Sequence, residues 1–184
     1  MPLDGLPRIN NLHTYSDLAQ TEVLDVLFEP SPAIHTTLLP VIRTAVYTSY
    51  PDLIDVCQIR MLSLAASSAD SKPDPLLLSV LGSHPRLGEK KISSPQSAAE
   101  QASLNGDGDE GKLAELNKEY DDKFPGLRYV AFVNGRPRQA IMREMRERID
   151  RGDYTKEVDA AIQAICDIAK DRARKLLGEK TTGK

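Results

Sequence analysis

Only one stretch of this chain, LRYVAFV at 127–133, has the composition and spacing of a β-strand. A lone strand has no sheet to join. The apolar residues elsewhere recur at spacings of three and four, so the core must be built from helices. Composition agrees. There is no Trp, with six Tyr and three Phe, so the interior must come mostly from Leu, Ile, Val, Met and Ala, a set that favours helix. A chain of 184 residues suits one all-α domain, 1–184, of about eight helices.

Prolines and small polar caps punctuate those helices. Ser16 caps a first helix that runs to Glu29 with Leu24, Leu27 and Phe28 as its apolar face, and Pro30 and Pro32 end it. Ile34, Leu38, Val41, Ile42 and Ala45 predict a second helix from Ala33 to Tyr50, broken by Pro51. Leu53, Cys57, Met61 and Leu64 mark a third, and 67–75 (SSADSKPDP) reads as a surface loop. A short helical run, Leu76 to Leu81, is stopped at His84-Pro85, because the residue before a proline is pushed out of the α region. Ser94 and Pro95 are cap and first residue of another helix. Leu113, Leu116 and Tyr120 mark the next, and Pro137 opens one carrying Ile141, Met142 and Met145. The last helix, Tyr154 to Leu177, carries a stripe of Val158, Ala161, Ile162, Ile165, Ala169, Ala173 and Leu176.

The same inventory excludes several functions. Basic and acidic side chains number 24 and 27, a net charge of −3, which argues against a protein built to grip nucleic-acid phosphates. Cys57 and Cys166 cannot make a disulfide scaffold or a Cys-rich zinc site. No window is apolar enough to span a membrane. The first residues show no basic-then-apolar leader, and the final TTGK is no Ser-Lys-Leu address. The expected compartment is cytoplasmic, or peroxisomal without a clear signal. GDGDEGK at 106–112 imitates a phosphate-binding loop but fails: Leu113 stands where a magnesium-binding hydroxyl belongs, three carboxylates would repel phosphate, and no strand precedes it. Read as a calcium loop, the stretch lacks the glycine and the final glutamate.

Three polar features do not fit a plain core. His84 sits at a chain break, and imidazole is the side chain best suited to proton transfer near neutral pH; a surface or satisfied histidine is the bland alternative. Ser97, Glu100 and Gln101 share a helix face and offer a hydroxyl, a carboxylate and an amide together, or simply a solvated face. Arg172 falls on the apolar stripe of the last helix, where a charge is either paired or snorkelling to the surface.

Taken with their neighbours, these residues form an ordered set: LFEPSP (27–32), HPRLG (84–88), SAAEQ (97–101), NKEY (117–120), KFPGLRYVAFVNGR (123–136) and the helix 154–177. The set resembles the OHCU decarboxylase family over most of the chain. Pro125 interrupts the family's Lys-Phe-Gly, the loop 105–112 replaces a compact turn, and the His-to-Glu spacing is shorter than in animal and plant members. The resemblance implies an all-α fold peculiar to the family, with neither metal nor organic cofactor. The implied reaction is decarboxylation of a small molecule, 2-oxo-4-hydroxy-4-carboxy-5-ureidoimidazoline, to (S)-allantoin in urate catabolism.

By the same resemblance His84 is the principal acid/base, and Glu100 pairs with it or holds the substrate. Pro85, Ser97 and Gln101 bind the substrate. Backbone groups of Tyr129, Ala131 and Val133 read the ring amides. Arg136 and Arg172 are candidates for the carboxylate or a carbonyl. A homodimer is expected too, since Ile168 adds an apolar position beside the last helix's stripe. The rivals are a non-catalytic helical interaction module and a lyase acting on a related ureide.

Overall fold

The structure is a computed structural model that describes residues 5–67, 73–89, 91–104 and 110–178. Residues 68–72 and 105–109 of the loops read at 67–75 and 105–112 lie outside the described residues, with the first part of the false phosphate and calcium motifs, as do the first four residues and the final TTGK; 110–112, read as loop, instead open a helix. The described residues hold eight α-helices, two short 3₁₀ segments and no strand, so the all-α expectation holds. The helices are α1 Asp17–Leu27, α2 Pro32–Thr44, α3 Tyr50–Ala66, α4 Pro75–Leu81, α5 Pro95–Gln101, α6 Glu110–Lys123, α7 Arg138–Arg151 and α8 Tyr154–Leu176. None is long and apolar enough to cross a membrane.

The chain divides into two compact units. One takes the residues up to Ser83 together with those from Cys166 onward, and the other is His84–Ile165. In the first unit Leu24, Leu27, Phe28, Ile34, Leu38, Ile42, Leu53 and Met61 are fully enclosed. Burying each such side chain contributes roughly 1.5–3 kcal/mol. The capping signals are used as read: the Ser16 side chain accepts from the Ala19 amide, and Ser94 accepts from Ser97.

The second helix is shorter than its periodicity implies. It stops at Thr44, and Ala45 is extended at φ −153°. Pro51 does not break that helix. It sits in the first turn of α3, where its missing N–H costs nothing, with Ser49 as the cap. The Tyr47 hydroxyl donates to the Val41 carbonyl at 2.8 Å, supplying a partner near the shortened helix end. Ala45 is accordingly exposed, and Leu64 and Leu176, both assigned to apolar stripes, are half-buried and 37% exposed. Arg172 is 2% exposed and so does not snorkel; its Nη2 donates to Glu29 Oε1 at 2.7 Å. Ile168 is buried within its own chain at 6% exposure, so it supplies no reason for a dimer.

In the second unit the strand-like run pairs with no strand. Its burial only partly alternates: Leu127, Tyr129, Ala131 and Val133 are buried, Arg128 and Phe132 are half-buried, and Val130 between them is buried too. The core here is mostly aliphatic, as expected, with one aromatic cluster in it. The Tyr120 ring lies 4.9 Å from Phe124 and 5.3 Å from Tyr129 between centroids, and such pairs add about 0.5–1.5 kcal/mol beyond area alone. Under this cluster lies Glu157, 0% exposed. It accepts from the Tyr120 hydroxyl at 2.8 Å, from Arg148 Nε at 2.9 Å and from Arg151 Nη2 at 2.6 Å. The Arg148 guanidinium stands 4.5 Å from the Tyr129 ring centre and also donates to the Val130 carbonyl at 3.2 Å. One buried charge network thus holds the backbone of the extended run.

Candidate active site

The segment His84–Gly88 follows α4 and has no regular structure of its own, so its conformation depends on its neighbours. Almost every residue of it is tied down. Arg128 Nη1 donates to the His84 carbonyl at 2.7 Å. The Arg86 side chain pairs with Asp121 at 2.7 Å, and its amide donates to Glu89 at 3.1 Å. Asn117 Nδ2 donates to the Leu87 carbonyl at 3.0 Å. The Gly88 amide donates to Gln101 Oε1 at 3.0 Å, and Gln101 Nε2 reaches the Arg86 carbonyl at 3.4 Å. Gly88 has φ +77°, and an added Cβ would lie 2.8 Å from a Leu113 methyl, so only glycine fits without strain.

The helix face predicted on α5 is present. Ser97 and Gln101 are buried, Glu100 is half-buried, and Ala98 and Ala99 point outward. His84 is buried at 4% exposure, which removes the reading of it as a surface histidine, and Pro85 beside it is half-buried. Gln101 meets the His84 segment directly, but through the backbone of Arg86 and Gly88, so its amide is a fastener of that loop.

Arg136 is also engaged in holding backbone. It donates to the Phe132 carbonyl at 2.6 Å and the Val133 carbonyl at 3.3 Å, and pairs with Glu144 at 2.6 Å. Arg136 and Arg148 thus hold the run 129–133 at three carbonyls, those of Val130, Phe132 and Val133. Burial, with Glu144 nearby, pushes the Tyr129 phenol well above its ordinary range, so it stays protonated. Arg172 belongs to the first unit, and its pairing there is with Glu29.

Sequence reasoning missed the supports. Arg128, Asp121, Arg148 and Glu157 were not singled out, although each positions the His84 segment or the extended run. A signal existed for one of them. Arg148 falls on the buried stripe of α7 with Ile141, Met145 and Ile149, the same anomaly that made Arg172 conspicuous. Among the described residues no three His, Cys, Asp or Glu side chains are grouped as metal ligands.

Comparison with known proteins adds two findings. The family profile described as OHCU decarboxylase matches residues 13–174. A "uric acid degradation bifunctional protein" of Bacillus sp. (strain TB-90) is 29% identical over 137 residues, which is 72% of this chain and 25% of that protein. The chain therefore matches about a quarter of the relative's length.

Proposed function

The chain belongs to the OHCU decarboxylase family, and from that premise we propose that it decarboxylates 2-oxo-4-hydroxy-4-carboxy-5-ureidoimidazoline to (S)-allantoin without a cofactor. The observation that carries this reading is the restraint on His84–Gly88. A buried histidine heads a segment pinned by Arg128, Asp121, Asn117 and Gln101. Such restraint on an irregular loop suits a group that must be held in place for proton transfer.

In the proposed reaction the bond from the ring carbon to the carboxylate breaks and CO₂ leaves. The electron pair flows into the neighbouring ring imine, whose nitrogen takes up a proton from solvent, giving an enol-like intermediate. The hydroxyl on the former carboxylated carbon then loses its proton, and the adjacent ring carbon gains one. His84 in its neutral form takes the hydroxyl proton, with Glu100 holding the imidazole or the substrate. Protonation must come from one face, because solution protonation gives a racemate. A positioned acid/base typically contributes about 10²–10⁴-fold. Ser97 offers a hydroxyl to the ureido or ring groups. The backbone of Tyr129, Ala131 and Val133 offers fixed N–H and C=O groups that match an amide's own pattern at little entropic cost.

The test is to generate the unstable ureidoimidazoline from urate in situ and follow it by circular dichroism with and without this protein. A chiral allantoin signal that grows faster with the protein supports the assignment. Unchanged decay to racemic product overturns it, and acceleration only with a different ureide redirects it to a related lyase.

A further inference from the structure

We propose that a cavity walled by α5, α6 and the start of α7 is a second small-molecule site, which takes a small carboxylate that also carries N–H donors, such as a ureido or amino carboxylate. The cavity has a volume of about 550 Å³, within the range of ligand sites. Gly88, Ala98, Gln101, Asn117, Asp121 and Arg138 line it. His84, Ser97 and Glu100 do not.

Arg138 supplies the first reason. Its side chain is buried, at 2% exposure, and Nη2 donates to the Leu104 carbonyl. Nε and Nη1 are enclosed with no acceptor, and among the described residues no carboxylate pairs with it. A guanidinium cannot shed its proton. Charged donors taken from water and left unmet are costly, so this wall calls for an anion.

The second reason has the opposite sign. Asn117 Oδ1 and Asp121 Oδ1 are enclosed acceptors with no donor, although the other end of each is engaged, with Leu87 and Arg86. A bare anion would answer Arg138 and leave these two unmet. A molecule with a carboxylate at one end and N–H groups at the other answers both. Asp121 also disfavours a doubly charged phosphate, whereas a planar carboxylate matches a guanidinium well. Glu89 and Lys118, which also line the cavity, are exposed and mark its open side.

The experiment is calorimetric titration of the full chain with ureidoacetate, set against ureidoacetamide, which lacks the carboxylate, and acetate, which lacks the ureido group. The expected result is saturable binding of ureidoacetate, with both controls weaker by about tenfold or more, the size of one charge-assisted hydrogen bond lost. Arg138→Met should weaken binding by a similar factor. Ala114→Phe, at an exposed α6 position lining the cavity, should block it by filling space without removing a polar group; it decides the matter if Arg138→Met fails to fold. Absence of saturable binding overturns the proposal, as does equal binding of ureidoacetamide or binding that Ala114→Phe leaves intact. Loss of binding in His84→Ala would place the ligand at the reaction site and overturn it too.

Discussion

Arg172 and Glu29 lie 143 residues apart in sequence and meet at 2.7 Å as a buried ion pair, with side chains only 2% and 4% exposed. Glu29 makes this contact from a backbone φ of +133°, a conformation that side-chain-bearing residues rarely adopt. The pair therefore holds a strained residue at the end of α1 against the C-terminal half of α8.

Removing the Glu29 carboxylate should cost about 3–5 kcal/mol, because Arg172 is left charged and enclosed. Glu29→Gly and Glu29→Ala lose the same carboxylate, but glycine is at ease at this φ, so the glycine variant should be the more stable by roughly 1 kcal/mol. Urea midpoints of the two variants decide this. An alanine variant equal to or above the glycine variant removes the strain from the account.

His84→Asn should lower turnover by about 10²–10⁴-fold, the range of one acid/base group, with far-ultraviolet dichroism unchanged. If Glu100 holds the His84 imidazole as proposed, the pH limb assigned to His84 should move to lower pH in Glu100→Gln, because a carboxylate in that place favours the imidazolium. An unmoved limb would falsify the coupling of the two residues.

The loop fastener can be probed separately. Gln101→Glu replaces the amide NH₂ that faces the Arg86 carbonyl with oxygen, while leaving an acceptor for the Gly88 amide. Activity should fall by more than stability does, because the change acts on the His84 segment and not on a large apolar contact. Gly88→Ala should cost about 1–2 kcal/mol for its positive φ, with a further loss where Leu113 must move. If kcat/KM in both variants falls only in step with the folded fraction, the segment is not positioning a reacting group.

Alkaline pH should unfold the protein by a definable route. Burial pushes the phenols of Tyr50, Tyr120 and Tyr129 well above their ordinary range, pushes the Cys57 thiol up as well, and raises the Cys166 thiol to about 12. The folded state keeps protons that the unfolded chain releases above about pH 8.5 for thiols and about 10 for phenols. Stability should thus be level through neutral pH and fall above those values, by up to roughly 1.4 kcal/mol per pH unit for each such group. Phenolate absorbance should appear together with the loss of dichroism. Phenolate forming smoothly in a folded protein would contradict the burial of these rings.

The helices were legible because apolar spacing, Ser caps and first-turn prolines are local signals, and Ser16, Ser94, Pro95 and Pro137 are used as they read. The end of α2 was not, because a proline marks a helix start as readily as a stop, and Pro51 starts α3. The candidate site was legible only as a set of chemical types, His84 with Ser97, Glu100 and Gln101. The roles of the supports were not, because most depend on contacts between residues distant in sequence, such as Gly88 with Gln101, 13 apart, and His84 with Arg128, 44 apart. Arg136 illustrates the difference. The family resemblance made it a candidate for a substrate carboxylate or carbonyl, while three of its donors are taken by Phe132, Val133 and Glu144.

The division of the chain has a consequence for synthesis. The unit His84–Ile165 is contiguous, so its contacts can form once Ile165 has left the ribosome. The other unit has its first part made before the contiguous unit and its last part made after it. Until the segment beyond Cys166 emerges, Glu29 has no Arg172 to hold its strained backbone angle, and Asp55 lacks Lys170, its partner at 2.6 Å. Closing that loop is slow relative to local helix formation. During this interval the apolar faces of α1 to α4 lack their final cover, and a nascent chain stalled there is the species a chaperone would meet.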